Sequence, residues 1–244
     1  MTGRVVKVER EGRPDGDLIT GAQADDDDHA PDVGRSARKH RAIMDAATAL
    51  FLRDGYRNTS MDQVAADAAV SKQTVYKHFE DKDQLFREIV LGVSGNSEAI
   101  IADLTAALRS SDVESIAELR TILTDLARRY IDGVLSRHVL ALRRLIIAEA
   151  ERFPDLARVY FEQAPARGIE VIAIALRRYQ DRGLLEMDDA DLAAAHLAYL
   201  ALAIPQDKAQ FYPNATPSRA ERDRLAGAAV RVFLAAYQAA PARS

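Results

Sequence analysis

SMDQVAADAAVSKQTVYKHF, residues 60–79, decides how the rest of this chain is read. Ser60 with Gln63 three positions on is a capping box, so a helix starts there. Ser71 caps a second helix, and the two meet across Ala68-Ala69-Val70. Val64, Ala68, Val70 and Val75 can fill a small shared core, and Ala65 is tiny where the helices must approach. This is the helix-turn-helix arrangement, whose second helix enters the DNA major groove. With Val75 and Phe79 inward, the helical period turns Lys72, Gln73, Tyr76 and Lys77 outward, with Thr74 and His78 at the flanks. These residue types have uses on DNA. Gln pairs bidentately with adenine, Lys reaches guanine O6 and N7, and Thr or Tyr meets a thymine methyl or a phosphate. Ser71, at the head of that helix, joins the same surface.

Outward from this stretch every long segment reads as helix. Ser36 is a plausible cap for a helix carrying Ile43, Ala47, Leu50 and Phe51, stopped by Gly55. On the other side Asp81, with Gln84 behind it, starts a fourth helix running through Leu85 and Ile89 to Ile100. Lys82, in its first turn, would sit among free backbone amides, an arrangement that binds phosphate. Asp112 or Ser111 caps a fifth, with the stripe Ile116, Leu119, Leu123, Leu126 and Tyr130. Arg137–Arg152 forms another, and the next, from Pro154 to Gly183, must break or kink at Pro165. The last two run from Asp189 to Ile204, stopped by Pro205, and onward from Ser218. No alternating strand pattern appears, so the expected fold is all-α. A three-helix DNA-binding domain at 35–87 precedes a second helical domain at 88–244.

Charge distribution supports that division. The whole chain carries −4, which alone argues against a nucleic-acid binder. Residues 1–34 carry −5 and include Asp25–Asp28; they read as a disordered acidic tail. Residues 35–87 carry +3 and hold four of the six lysines. There is no cysteine, hence no disulfide or thiol chemistry. The start of the chain lacks a secretory pattern, and the most apolar run, Leu192 to Pro205, is too short to span a membrane, so a cytoplasmic chain is expected. The preference for Arg over Lys and the abundance of Ala hint at a GC-rich bacterial source.

The stretch TSMDQVAADAAVSKQTVYKHFEDKDQLF, residues 59–86, resembles the DNA-binding domain of the Tet-repressor (TetR) family. The helix Ala37 to Asp54 with Gly55-Tyr56 behind it matches that family's first helix and turn. The resemblance implies that Thr59, Ser60, Tyr76, His78 and Lys82 hold phosphates, while Lys72, Gln73, Thr74 and Lys77 face base edges. It further implies that residues 88–244 form a ligand-binding and dimerisation domain, in a homodimer whose last two helices build a four-helix bundle with the partner. The stretch from Arg143 to Gly168 is similar to the C-terminal domain of AefR-like members. Ala69 stands where many members have Gly; a positive φ there costs Ala about 1 kcal/mol.

Residues beyond 112 carry weaker signals. Tyr130, Phe161, His196 and Tyr199 lie on or beside apolar helical faces and are the candidates to line a ligand cavity. Leu225, Ala229, Val232, Phe233 and Ala236 form one apolar face of the last helix and are the candidate dimer contacts. His138 and His196 lack metal-binding spacing, so neither a metal nor a cofactor is expected. An all-helical enzyme is the rival class, but no nucleophile–base pair or phosphate loop supports it. The expected function is a transcriptional regulator, with repression ahead of activation. It would bind a palindromic operator in double-stranded DNA and release it when a small, apolar effector wedges the core and tilts the fourth helix.

Overall fold

Helices start where side chains can satisfy their first amides. The computed structural model describes residues 32–94, 96–109, 113–212 and 216–240. Their helices are α1 (Asp32–Asn58), α2 (Met61–Asp67), α3 (Lys72–His78), α4 (Lys82–Ser94), α5 (Asn96–Arg109), α6 (Ile116–Val134), α7 (Arg137–Ala148), α8 (Pro154–Phe161), α9 (Arg167–Asp181), α10 (Ala190–Phe211) and α11 (Arg219–Tyr237). A π-helical turn, Glu162–Ala166, joins α8 to α9. No strand occurs among the described residues. The chain is all-α, as expected.

Ser60, Ser71, Asp189 and Ser218 each accept a hydrogen bond from the first turn of the helix they precede. The Ser60–Gln63 capping box is complete in both directions. Asp81 takes the Gln84 amide at 2.7 Å. Gly55, at φ 80°, interrupts α1 at the expected place. Ala69 adopts φ 53°, the left-handed conformation that its place in the turn demands.

Five boundaries differ from the sequence reading. α1 already begins at Asp32, so Ser36 lies inside it and the acidic segment overlaps its start; residues 1–31, including Asp25–Asp28, lie outside the described residues. The expected long fourth helix is two elements, α4 and α5. α6 is capped by a Ser115–Glu118 capping box instead of by Ser111 or Asp112, which lie outside the described residues. α7 ends at Ala148, and a turn leads to α8, where Pro154 occupies the first position, its missing N–H costing nothing there. α10 continues through Pro205 to Phe211. Pro205 is buried, and packing on both sides holds the helix together despite one lost backbone bond. Pro165 does disturb its segment, as the π-helical turn.

Two hydrophobic cores result. The larger joins α5, α6, α9, α10 and α11. The smaller fills the space between α1, α2, α3 and α4 through Ile43, Phe51, Val64, Val75, Phe79 and Phe86. It is not closed by those helices alone. Leu142, Leu145 and Ile146 of α7, with Phe153, Leu156 and Tyr160 at α8, complete it.

Candidate nucleic-acid interface and ligand cavity

α3 is anchored by one face and open on the other. Val75 and Phe79 are fully buried, while Ser71, Lys72, Gln73, Tyr76 and Lys77 are exposed and Thr74 and His78 are half-buried. Ser71 Oγ takes the Thr74 amide at 3.1 Å and lies 2.8 Å from its hydroxyl, so both side chains are partly committed to starting the helix. Lys72 is paired with Asp62 of α2 at 2.8 Å; it braces the two helices as well as facing outward. Lys77, Gln73 and Tyr76 carry no ion pair among the described residues. Ser60 is exposed at the α2 cap.

Two expected contacts sit differently. Thr59 is buried, and its hydroxyl donates to the Gly55 carbonyl at 2.9 Å, so it does not present a hydroxyl to DNA. Lys82 donates to the Tyr56 and Thr59 carbonyls at 3.0 and 2.9 Å, with its ammonium 4.3 Å from the Tyr56 ring centre. Burial and the nearby Arg152 hold its pKa below the ordinary lysine value. Lys82 clamps the α1–α2 turn to α4, which leaves it one free proton for an outside acceptor. Lys39 was missed as a candidate. It helps lower the His78 pKa, after burial, His40 and Lys77, and His40 meets His78 edge-on at 5.7 Å. His40 and Lys39 thus bring α1 to the end of α3, and Arg38 and Arg41 flank them in sequence, a signal visible as clustered charge.

Behind this surface the two parts of the molecule are joined by a charged and aromatic junction. Tyr56 Oη donates to Asp83. The Arg152 guanidinium stands 4.8 Å over the Tyr56 ring and 5.3 Å from that of Phe153, and donates to Asp83 at 3.3 Å. Arg87 of α4 pairs with Asp155 of α8. The Tyr56, Phe86 and Phe153 rings meet at 5.0–5.3 Å. The Tyr56 hydrogen bond, and then Arg152, hold the Asp83 carboxyl below its ordinary range against the opposing effect of burial.

A cavity of about 70 Å³ lies between α5, α6, α7, α8, α9 and α10. Ile100, Val134, Leu142, Ile169 and Leu202 give it apolar walls. Tyr130, Tyr160, Tyr199, His138, Arg143 and Gln206 bring polar atoms to it. Tyr130 and Tyr199 are therefore where the sequence placed them. Phe161 and His196 are not. Phe161 is half exposed on the far side of α8, its neighbour Tyr160 being the one turned inward. His196 faces α11, with Nδ1 2.6 Å from the Tyr237 hydroxyl.

The candidate dimer residues also divide. Leu225, Ala229 and Phe233 are buried against α6 and α10 of the same chain. Val232 and Ala236 remain exposed, one turn apart. α10 adds Leu192, Leu200, Ile204 and Phe211 to the exposed apolar side chains, Ile204 and Phe211 being 69% and 74% exposed.

Comparison with known proteins now adds to this geometry. Residues 43–89 match the family model of bacterial regulatory proteins of the tetR family. Residues 121–239 match the model of the AefR-like transcriptional repressor C-terminal domain. A protein described as a TetR-family transcriptional regulator from Mesorhizobium loti is 42% identical; the alignment covers 84% of this chain and 98% of that one, with a TM-score of 0.74. The flavonoid-responsive regulator FrrA is 30% identical over 83% of this chain and 98% of its own, with a TM-score of 0.58. The helix-turn-helix regulator YhgD of Bacillus subtilis, itself uncharacterized, is 44% identical over 54 residues, 22% of this chain and 28% of that protein. The chain thus spans under a third of that curated relative.

Proposed function

This chain belongs to the TetR family of DNA-binding transcriptional regulators, and from that we propose that it is a one-component repressor: a homodimer that holds a palindromic operator and lets go when a small molecule enters the cavity. The observation that carries the DNA half is α3, with Val75 and Phe79 sealed in the core and Gln73, Tyr76 and Lys77 open beside the basic start of α1. Lys77 and Gln73 then read base edges, while Ser60, Tyr76, His78 and Lys39 hold phosphates. A second copy of the chain covers the apolar side chains of α10 and α11 around Ile204 and Val232, an area too apolar to leave to solvent.

The relative named as flavonoid-responsive supports an organic effector for a cavity of this kind. Coupling runs through α7 and α8. α7 lines the cavity through His138, Val139, Leu142 and Arg143 and, further along the helix, closes the small core through Leu145 and Ile146. Leu142 and Tyr160 belong to both. A ligand that shifts α7 therefore moves the wall against which α1 and α4 are packed, and with it the separation of two recognition helices, which must be about 34–36 Å. A roughly 100-fold preference for the DNA-incompetent state shifts the balance by about 2.7 kcal/mol.

The experiment is fluorescence-anisotropy titration of DNA from upstream of the protein's own gene, across a salt series, beside random DNA. Nanomolar, salt-steep binding confined to the upstream DNA supports the reading. Absence of binding to any DNA at low salt overturns it.

A further inference from the structure

Arg143 differs from the ion-paired arginines of the helical body, because it lines the cavity without a carboxylate. Arg128, Arg129, Arg167, Arg177 and Arg222 each hold an Asp or Glu. Arg144, beside it in sequence, donates to the Ala209 carbonyl at 3.4 Å. Arg143 lines the cavity, has no carboxylate partner among the described residues, and keeps its Nε buried without a hydrogen-bond partner. A guanidinium does not give up its proton, and a half-buried cation facing an apolar space is costly until something negative meets it.

Nothing else around the cavity supplies that charge. Its other polar side chains are tyrosines, His138 and Gln206. Burial drives the Tyr130 hydroxyl up to about 12 and raises that of Tyr160, in both cases against the pull of Arg143. Both therefore stay protonated and can donate. The cavity thus combines one fixed cation with neutral donors and apolar walls.

Resting on the reading of this cavity as the effector site, we propose that the effector is an anion: an apolar molecule of at least ring size, with one carboxylate or ionised phenol gripped by Arg143 and assisted by the Tyr160 hydroxyl. Its apolar body lies against Ile100, Val134 and Leu202. At about 70 Å³ the empty space is well below the ~150 Å³ that admits benzene, so even a single ring pushes its walls apart. Arg143 sits on α7, so the anion's grip pulls on the same helix that closes the core beneath the DNA-binding helices.

The test is calorimetry on the full-length protein with matched pairs in mildly alkaline buffer: naphthoate against naphthamide, and para-nitrophenol against para-nitroanisole. Each anion is expected to bind the wild type at least about tenfold more tightly than its neutral partner. Arg143→Met is expected to abolish that preference while leaving the neutral probes unaffected, and Arg143→Lys to keep part of it; thermal melts establish that both variants are folded. The pair with the larger ratio identifies the acidic group as carboxylate or phenol. Equal binding of anion and neutral partner, or a preference that survives Arg143→Met, overturns the inference and leaves the cavity as the effector site. No binding of any of the four overturns the cavity reading itself.

Discussion

The DNA-facing surface and the cavity are built on opposite principles. The first is largely contiguous: the caps, the turn and the outward residues of α3 all fall within residues 60–79. The second draws on six helices and the π-helical turn, from Ile100 to Gln206, and exists only after those elements dock. A site written locally is held by interactions between residues three or four apart. A site written across the chain depends on how each helix is rotated about its own axis, and one residue of rotation exchanges an inner side chain for an outer one. Tyr160 and Phe161 are that exchange.

The sharpest way to break this contrast is through Phe153. If the DNA-binding head were self-sufficient, a residue far beyond α4 in sequence would not matter to it. Phe153 is buried against Tyr56 and Phe86, and Phe153→Ala is expected to cost about 3–5 kcal/mol in urea unfolding and to weaken operator binding with it. Unchanged stability would restore the head as an independent unit.

Next in size is Lys77→Ala. It is expected to weaken binding to the upstream DNA by about 1–3 kcal/mol and leave naphthoate binding untouched, because Lys77 contacts neither the core nor the cavity. An equal loss on random DNA would assign Lys77 to phosphate instead of base.

Ala69→Gly sharpens the local side of the comparison. Ala69 sits at φ 53°, where glycine is unstrained, so the substitution is expected to stabilise the protein by about 1 kcal/mol, read from the urea midpoint. Loss of stability would mean that the added freedom of the unfolded chain outweighs the relieved strain.

The smallest effect is at the junction. Arg152 and Asp83 are substantially exposed, so Arg152→Ala is expected to cost under about 1 kcal/mol. The pH dependence has a definite sign. Asp83 is held below its ordinary value of 3.8, so its contribution is complete above that value and is lost as pH falls through the lower folded value. Urea midpoints taken from neutral pH down to the acid range should therefore fall less steeply in Asp83→Asn than in the wild type.

The same contrast explains what the sequence made legible. The all-α class, the capping box at Ser60, the turn at Ala69 and the outward set Gln73, Tyr76 and Lys77 follow from spacing alone, and each lies within a few residues of its cause. Thr59 and Lys82 look alike in sequence to groups that face phosphate, yet both are drawn into the α1–α2 turn by carbonyls that only the folded chain presents. Tyr130 and Tyr199 stand out in sequence because they lie on or beside apolar helical faces, whereas Arg143 reads as an ordinary surface charge until the folded chain shows it at the cavity without a carboxylate. Leu225, Ala229 and Phe233 share a stripe with Val232 and Ala236, and periodicity does not tell the side facing the chain's own core from the side facing a partner.

Because Leu142, Leu145, Ile146, Phe153, Leu156 and Tyr160 finish the core beneath the recognition helix, the head is not an interchangeable cassette. A chimera that cuts the chain after α4 and grafts another body would expose Phe86 and Tyr56 unless the new body supplied matching side chains. The crossover that preserves function has to carry α7 and α8 along with the head. Recombination between related regulators should succeed more often when those six positions travel with the first ninety residues than when the join follows the boundary suggested by sequence similarity.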